Sequence, residues 1–376
     1  MEAKDLLNSQ YSATYTGPVL VYNTKQLKRN VAEFKQALPN VQINYAVKAN
    51  PAHEVLQTLM QEGASFEVAS LNEVVALELA DWELGGAFDF NRVLYSNPVR
   101  PEQYVQRAVD KGVNWFVVDN EQEIAKVLRH SRKANFYIRL VVSNHKSHFP
   151  LTGKFGVDLH RAIKLVNYCK AYGAKLRGVT FHVGSQCTNI DNWIDGIGTA
   201  NDLFAYMRQV GFNPDFLDLG GGYPVVYDHS VPSIREISDA ITPELEKLKG
   251  FRIVAEPGRY LSANAGHMLC QVISTNVRDG LKWVYLDSGV FHGMTEAAQS
   301  PDQFKYNYVT EHDPKETEIC AIAGPTCDSL DIVTKVQPLP RGLREGDFVV
   351  IENAGVYTTS YGTDFNGFPA PKIVVV

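Results

Sequence analysis

The sequence predicts an α/β fold: a closed (β/α)8 barrel of the TIM type, followed by an antiparallel β domain. Three observations predict it. Short runs rich in β-branched and aromatic residues alternate with helical periods through most of the chain. Eight such runs follow one another from residue 43 onward over roughly 220 residues, the span of one barrel. After residue 260 the helical periods stop, and strand-like segments follow each other over short connections.

The segment VLVY (19–22) precedes the barrel and has two placements open to it: an added barrel strand, or a strand of a β-rich domain built from residues 1–23 and 263–376. The barrel is expected over residues 24–262. Its strands are INYAVKAN (43–50), ASFEVAS (64–70), RVLYSN (92–97), WFVVDN (115–120), NFYIRLVVS (135–143), GVTFHVGS (178–185), FLDLGGG (216–222) and RIVAEPG (252–258). Between them EVLQTLMQEG (54–63), PEQYVQRAVDKG (101–112) and ISDAITPELEKL (237–248) space apolar residues by three and four, as half-buried helices do. Past the barrel, HMLCQVISTNV (267–277), KWVYLDSG (282–289), EICAIAGPTC (318–327) and DFVVIENA (347–354) read as strands. An open doubly wound sheet is the rival architecture. The barrel is preferred because every strand ends in polar residues or glycine, and barrel enzymes assemble their sites from that rim.

Composition narrows the function classes. The chain has 376 residues, 45% of them apolar, so it can bury two domain cores. A net charge of −6 argues against a phosphate-tracking nucleic-acid binder. The five cysteines are scattered with no CxxC pair, which indicates neither a disulfide framework nor a zinc site. The first residues, MEAKDLLNSQYSATYTG, are polar and lack a signal-peptide core, and no apolar run is long enough to span a bilayer. The expectation is a soluble, reduced, cytoplasmic protein with no metal.

The rim residues suggest one chemistry. Lys48 closes INYAVK; it is either a strand-end lysine in an ion pair or an amine whose partly desolvated setting makes it a nucleophile toward an aldehyde. The glycines of DLGGGYP (218–224) either form a tight turn or let backbone amides approach an anion. In AEPGRY (255–260), Gly258 and Arg259 are further phosphate donors, and Glu256 either pairs with Arg259 or serves a pyridine nitrogen. In FHVGS (181–185), His182 offers a flat ring to cover a planar cofactor, and Ser185 a hydroxyl for phosphate. An amine for an aldehyde, donors for a phosphate, an acid for a ring nitrogen and a flat cover are what pyridoxal 5'-phosphate requires.

The order YAVKAN, HVGS, DLGGGYP, EPGRY, GPTCDSLD, ENAGVYTTSY, FNGF resembles the pyridoxal-phosphate-dependent decarboxylases of basic amino acids with the alanine racemase-like fold (type III), most of all the ornithine/lysine decarboxylases. The resemblance runs from about residue 17 to the C-terminus. It implies that Lys48 bonds the cofactor, His182 stacks on it, and Glu256 pairs with its nitrogen. Ser185, Gly221, Gly222, Gly258, Arg259 and Tyr357 would hold the phosphate. It also implies a C2 homodimer with shared active sites, in which GPTCDSLD (324–331) supplies Cys327 as proton donor and Asp328 for the distal ammonium of the substrate. The implied reaction is decarboxylation of L-ornithine to putrescine, with L-lysine to cadaverine as a second activity.

Two departures touch selectivity. Where many ornithine decarboxylases carry an aspartate before Gly-Val, this chain has Ser288, with Asp287 one position earlier. Glu296 is the candidate replacement for that carboxylate; its alternative reading is a solvated loop acid. Phe66-Glu67 stands where relatives usually show Phe-Asp. The alternatives weighed are a diaminopimelate or carboxynorspermidine decarboxylase or a racemase of the same fold, a cofactor-free class I aldolase, and a regulatory binder that has lost the cofactor. Asp328 argues against a substrate with a distal carboxylate, and the presence of Lys48 and all the phosphate donors argues against the binder.

Overall fold

The computed structural model describes residues 2–151, 153–300, 304–312 and 315–376. Met1, 301–303 and 313–314, which fall in the expected β-rich ranges, lie outside the described residues. The chain forms two compact units. One comprises Asn30–Pro224 and Val231–Arg259; the other comprises Met1–Arg29, Val225–Ser230 and Tyr260–Val376.

The first unit is a closed barrel of eight parallel strands: Val41–Ala46, Ser65–Val68, Leu94–Tyr95, Trp115–Val118, Asn135–Leu140, Lys175–Phe181, Phe216–Asp218 and Arg252–Ala255. Each lies within or against one of the eight runs expected from sequence. The last strand closes on the first, with Ile253 opposite Val41. The interior is filled, not open: Leu94, Trp115, Val117, Tyr137, Phe216 and Val254 form one buried cluster, with the Trp115 and Phe216 rings 4.6 Å apart.

Helices follow the strands because the strand ends supply their caps. Ser70 and Asn120 accept from the backbone N–H groups of Glu73 and Glu123, starting Leu71–Glu83 and Glu121–His130. Ser233 and Glu236 form a reciprocal capping box that starts Ile234–Leu245. Several polar tips therefore serve turns. Asn50 accepts from Ala52 N–H at 3.0 Å and Asn97 from Val99 N–H at 3.1 Å, while Asp119 instead ties down a distant loop through Gly156 N–H at 3.0 Å.

The second unit holds an eight-stranded sheet: Val19–Tyr22, Gly266–Arg278, Leu281–Leu286, Tyr308–Thr310, Thr317–Ala323, Ile332–Pro340, Phe348–Ile351 and Lys372–Val375. VLVY is thus a strand of this sheet and not of the barrel; it pairs with Gly266–Arg278 and with Lys372–Val375. Pairing is antiparallel except at two places, Val19–Tyr22 with Lys372–Val375 and Leu281–Leu286 with Thr317–Ala323, so the sheet is mixed. The polar-looking N-terminus contains a short helix, Ala3–Leu7, whose Leu6 and Leu7 pack with Val21, Leu269 and Val350.

Candidate active site

In the barrel unit, Lys48 sits in a 3-10 turn, Val47–Ala49, directly after the first strand. Its ammonium pairs with Glu67, at the end of the second strand; the lysine side chain is 40% exposed and the glutamate 3%. The ion pair foreseen as the plain alternative is therefore real, and it holds the amine at the rim. Gly258 packs its backbone on Ala49, one residue past Lys48.

Glu256 follows the eighth strand. Ser96 Oγ donates to its Oε1 at 2.8 Å and stands 2.9 Å from the Tyr137 hydroxyl, which links the rim to the aromatic core. Glu256 also feels the charge of Asp218, the last residue of the seventh strand. Asp218 is fully buried and accepts from Gly220 N–H and Thr180 Oγ1, each at 2.9 Å. Two acids this close in a dry site cannot both ionise cheaply. Burial lifts Asp218 to about 6, and burial with the charges of Asp218 and Glu67 lifts Glu256 well above the usual carboxylate range. Burial and the Glu67 charge likewise lift Glu73 to about 7. Glu256 and Asp218 thus act on each other as neighbouring buried acids, each raised above its ordinary range. The reading that gave Glu256 to Arg259 is replaced by this pairing.

His182 closes the sixth strand. The Gly184 N–H donates to its Nδ1 at 3.0 Å, which puts the ring proton on Nε2. Desolvation, with the Arg139 and Lys48 cations behind it, holds the imidazole well below its ordinary range, so the ring is neutral and flat. A Cβ built on Gly221 would lie 2.9 Å from the Glu256 carbonyl oxygen and 3.0 Å from His182 Nε2; only glycine lets the backbone pass between them. Gly222 has φ +106°, a conformation side chains resist, and its Cβ would lie 2.5 Å from the Gly184 carbonyl oxygen. Arg259 is buried; its Nε and Nη2 both donate to Ser185 Oγ at 3.1 Å, and its guanidinium lies 5.2 Å from the centre of the Phe149 ring.

The barrel thus brings together Lys48, His182, Ser185, Gly221, Gly222, Glu256, Gly258 and Arg259. Sequence reasoning missed Asp218 and Glu73. The signal for Asp218 was present, an acid closing an apolar strand two residues before the glycine run.

The other predicted residues lie in the second unit and are described there. Tyr357 caps the short helix Thr358–Tyr361 in a left-handed conformation, φ +62°. Cys327 is exposed, contrary to the packing role common for lone cysteines, while the other four cysteines are buried. Asp328 Oδ1 accepts from Leu330 N–H at 2.8 Å. Glu296 is buried in the first turn of Thr295–Gln299, which overturns the solvated-loop reading. Asp287 is committed within its own unit: it accepts from the Tyr15 hydroxyl and, at 3.0 Å, from Gln271 N–H. Ser288 is buried, its hydroxyl 3.4 Å from the His292 carbonyl oxygen. Asp331, not singled out from sequence, organises this region. It accepts from Val290 N–H at 2.8 Å and from the Thr326 N–H and hydroxyl at 3.0 and 2.7 Å.

The barrel residues fit pyridoxal phosphate on three counts: a buried acid held by Ser96, a backbone cradle beside a neutral flat ring, and a forked cation joined to a hydroxyl. Residues 24–263 match the family model described as pyridoxal-dependent decarboxylase, pyridoxal binding domain. The ornithine decarboxylase of Schizosaccharomyces pombe is 31% identical over 361 residues, covering 92% of this chain and 80% of that protein. Antizyme inhibitor 2 of Xenopus laevis is 31% identical over 359 residues, 90% of this chain and 76% of that one. The lysine/ornithine decarboxylase of Vibrio vulnificus, solved with cadaverine, matches with a TM-score of 0.88 at 28% identity over 99% of this chain and 98% of that one. On this fold, this barrel mouth and these matches, the chain belongs to the family of pyridoxal-phosphate-dependent decarboxylases that act on ornithine, lysine and arginine.

Proposed function

We propose that the protein decarboxylates L-ornithine to putrescine, with L-lysine to cadaverine as a slower reaction, in a C2 homodimer. The observation that carries the catalytic reading is the buried Glu256, held by Ser96, in a barrel mouth that also holds the flat His182 ring, the Lys48 amine and the forked Arg259 cation on Ser185. A binder that has lost the cofactor has no use for the amine, the buried acid and the forked cation together. That argument, with every cofactor-facing residue present, weighs against the role named for the antizyme inhibitor relative.

Pyridoxal phosphate, when bound, supplies the electron sink that accepts the pair released as CO2 departs. The residues do the rest. Lys48 would hold the cofactor through its amine, which pairs with Glu67. Glu256 would serve the ring nitrogen, and His182 would cover the ring. Arg259, Ser185, Gly221, Gly222, Gly258 and Tyr357 hold the phosphate. GPTCDSLD of the second subunit would supply Cys327 as the proton donor to the α-carbon and Asp328 for the distal ammonium, with Glu296 as a further carboxylate for that ammonium. One methylene separates lysine from ornithine, worth only about 1–3 kcal/mol of discrimination.

The test is CO2 release from ornithine, lysine, arginine and diaminopimelate side by side. Ornithine first and diaminopimelate last is the expected order; the reverse would sink the substrate assignment. Lys48→Ala is expected to abolish the visible absorbance of the covalently held cofactor. Asp328→Ala is expected to raise KM for ornithine about tenfold or more while cofactor retention holds, since it removes one charge-assisted hydrogen bond.

A further inference from the structure

We propose that Asn366 is a positioning residue for Cys327, clamping the sulfur in a single orientation; this rests on Cys327 being the proton donor proposed above. The Cys327 backbone N–H and its thiol both donate to Asn366 Oδ1, each at 3.3 Å. One carboxamide oxygen therefore fixes the main chain and the side chain of Cys327 to the same point.

Both sides of this contact are built independently of it. On the Cys327 side, the buried Asp331 carboxylate holds the N–H and hydroxyl of Thr326, the preceding residue. On the other side, Asn366 sits at φ +58° in a turn whose Phe365 stacks on Phe291 at 4.4 Å and whose Phe368 meets His292 edge-on at 6.2 Å. Asp364 pins the turn by accepting from Gly367 N–H at its carbonyl and from Ala370 N–H at Oδ1, each at 3.0 Å. The clamp is thus a join between two prebuilt turns. A thiol donating to a neutral oxygen keeps its proton and keeps its sulfur in place. Delivering that proton then requires only rotation of the S–H bond, with no search by the sulfur atom.

Because Cys327 is the one exposed cysteine, an alkylating reagent reports on it directly. The full-length chain is treated with iodoacetamide, and the peptide containing Cys327 is followed by mass spectrometry. Asn366→Gly keeps the left-handed turn and removes only the carboxamide. Cys327 in that variant is expected to label about two- to tenfold faster, the range one hydrogen bond is worth, and kcat is expected to fall with KM unchanged. Asn366→Asp keeps the acceptor and places a negative charge beside the sulfur, so labelling is expected to slow. Equal labelling in wild type and Asn366→Gly overturns the clamp. Should the glycine variant lose its fold by circular dichroism, the aspartate variant decides alone, and labelling at or above the wild-type rate overturns the clamp. Wild-type kcat in Cys327→Ala would overturn the proton-donor reading instead, a failure distinct from that of the clamp, which the labelling rates decide.

Discussion

Glu67, Glu73 and Glu256 face one amine, Lys48, at the barrel rim, and burial raises Glu73, Asp218 and Glu256 above the ordinary carboxyl range. For Asp218 this has a sign that can be measured. The folded chain binds a proton there more tightly than the unfolded chain, from an ordinary 3.8 up to about 6. The contribution to stability is therefore neutral below the lower value, declines as pH rises between the two, and remains a fixed penalty above the upper one. Asp218→Asn keeps the acceptor for Gly220 N–H, turns its amide donor to the Thr180 hydroxyl, and deletes the charge. Without cofactor, that variant is expected to be more stable at pH 7 by about 1–3 kcal/mol, with the gain vanishing below about pH 4. Thermal melts across pH check it; a gain constant with pH would contradict the pairing. The same change is expected to weaken cofactor retention, because after burial the Asp218 charge is the next cause that raises Glu256. Lys48, His182, Glu256 and Arg259 were legible as strand-tip residues. Asp218 left a signal, an acid closing an apolar strand just before the glycine run, but its partner Glu256 is set only by barrel closure.

At the scale of elements, the loop that carries Cys327 depends on Asp331. Its carboxylate is buried and takes three donors, from Val290 and Thr326. Asp331→Ala leaves those donors unmet, at a cost of about 3 kcal/mol or more. Chemical denaturation is expected to show the loss, and Cys327 is expected to alkylate faster; wild-type stability would show the loop to be held some other way. The barrel strands were readable because each is an apolar run that ends in glycine or polar residues. The helix Ala3–Leu7 was not, because five residues are too few for a period and only its packing on Val21, Leu269 and Val350 reveals it. Placing VLVY likewise required knowing its partners, since a four-residue strand carries no record of which sheet it joins. Asp287 illustrates the same limit: its offset by one residue was visible, but its commitment to Tyr15, 272 positions away, was not.

For the whole molecule, the proposed sharing of active sites between two subunits predicts complementation. Lys48→Ala and Cys327→Ala chains, each inactive alone, are expected to recover about a quarter of wild-type activity when mixed as equal parts and allowed to exchange, because half the dimers are mixed and each has one intact site. No recovery in a mixture shown to contain mixed dimers would rule the sharing out. The two units also differ in what they leave unpaired. The barrel closes on itself, so each of its strands has a neighbour on both sides. Among the described residues, the sheet of the second unit ends in open strands, Tyr308–Thr310, Ile332–Pro340 and Lys372–Val375. Pro338 and Pro340 remove backbone donors from one of these, and Lys335 adds charge to it. Lys372–Val375 has only its single lysine for protection, and it leans on one neighbour, Val19–Tyr22. When the protein is held concentrated and warm, that unguarded β-branched margin is where foreign strands dock first and where loss of material begins.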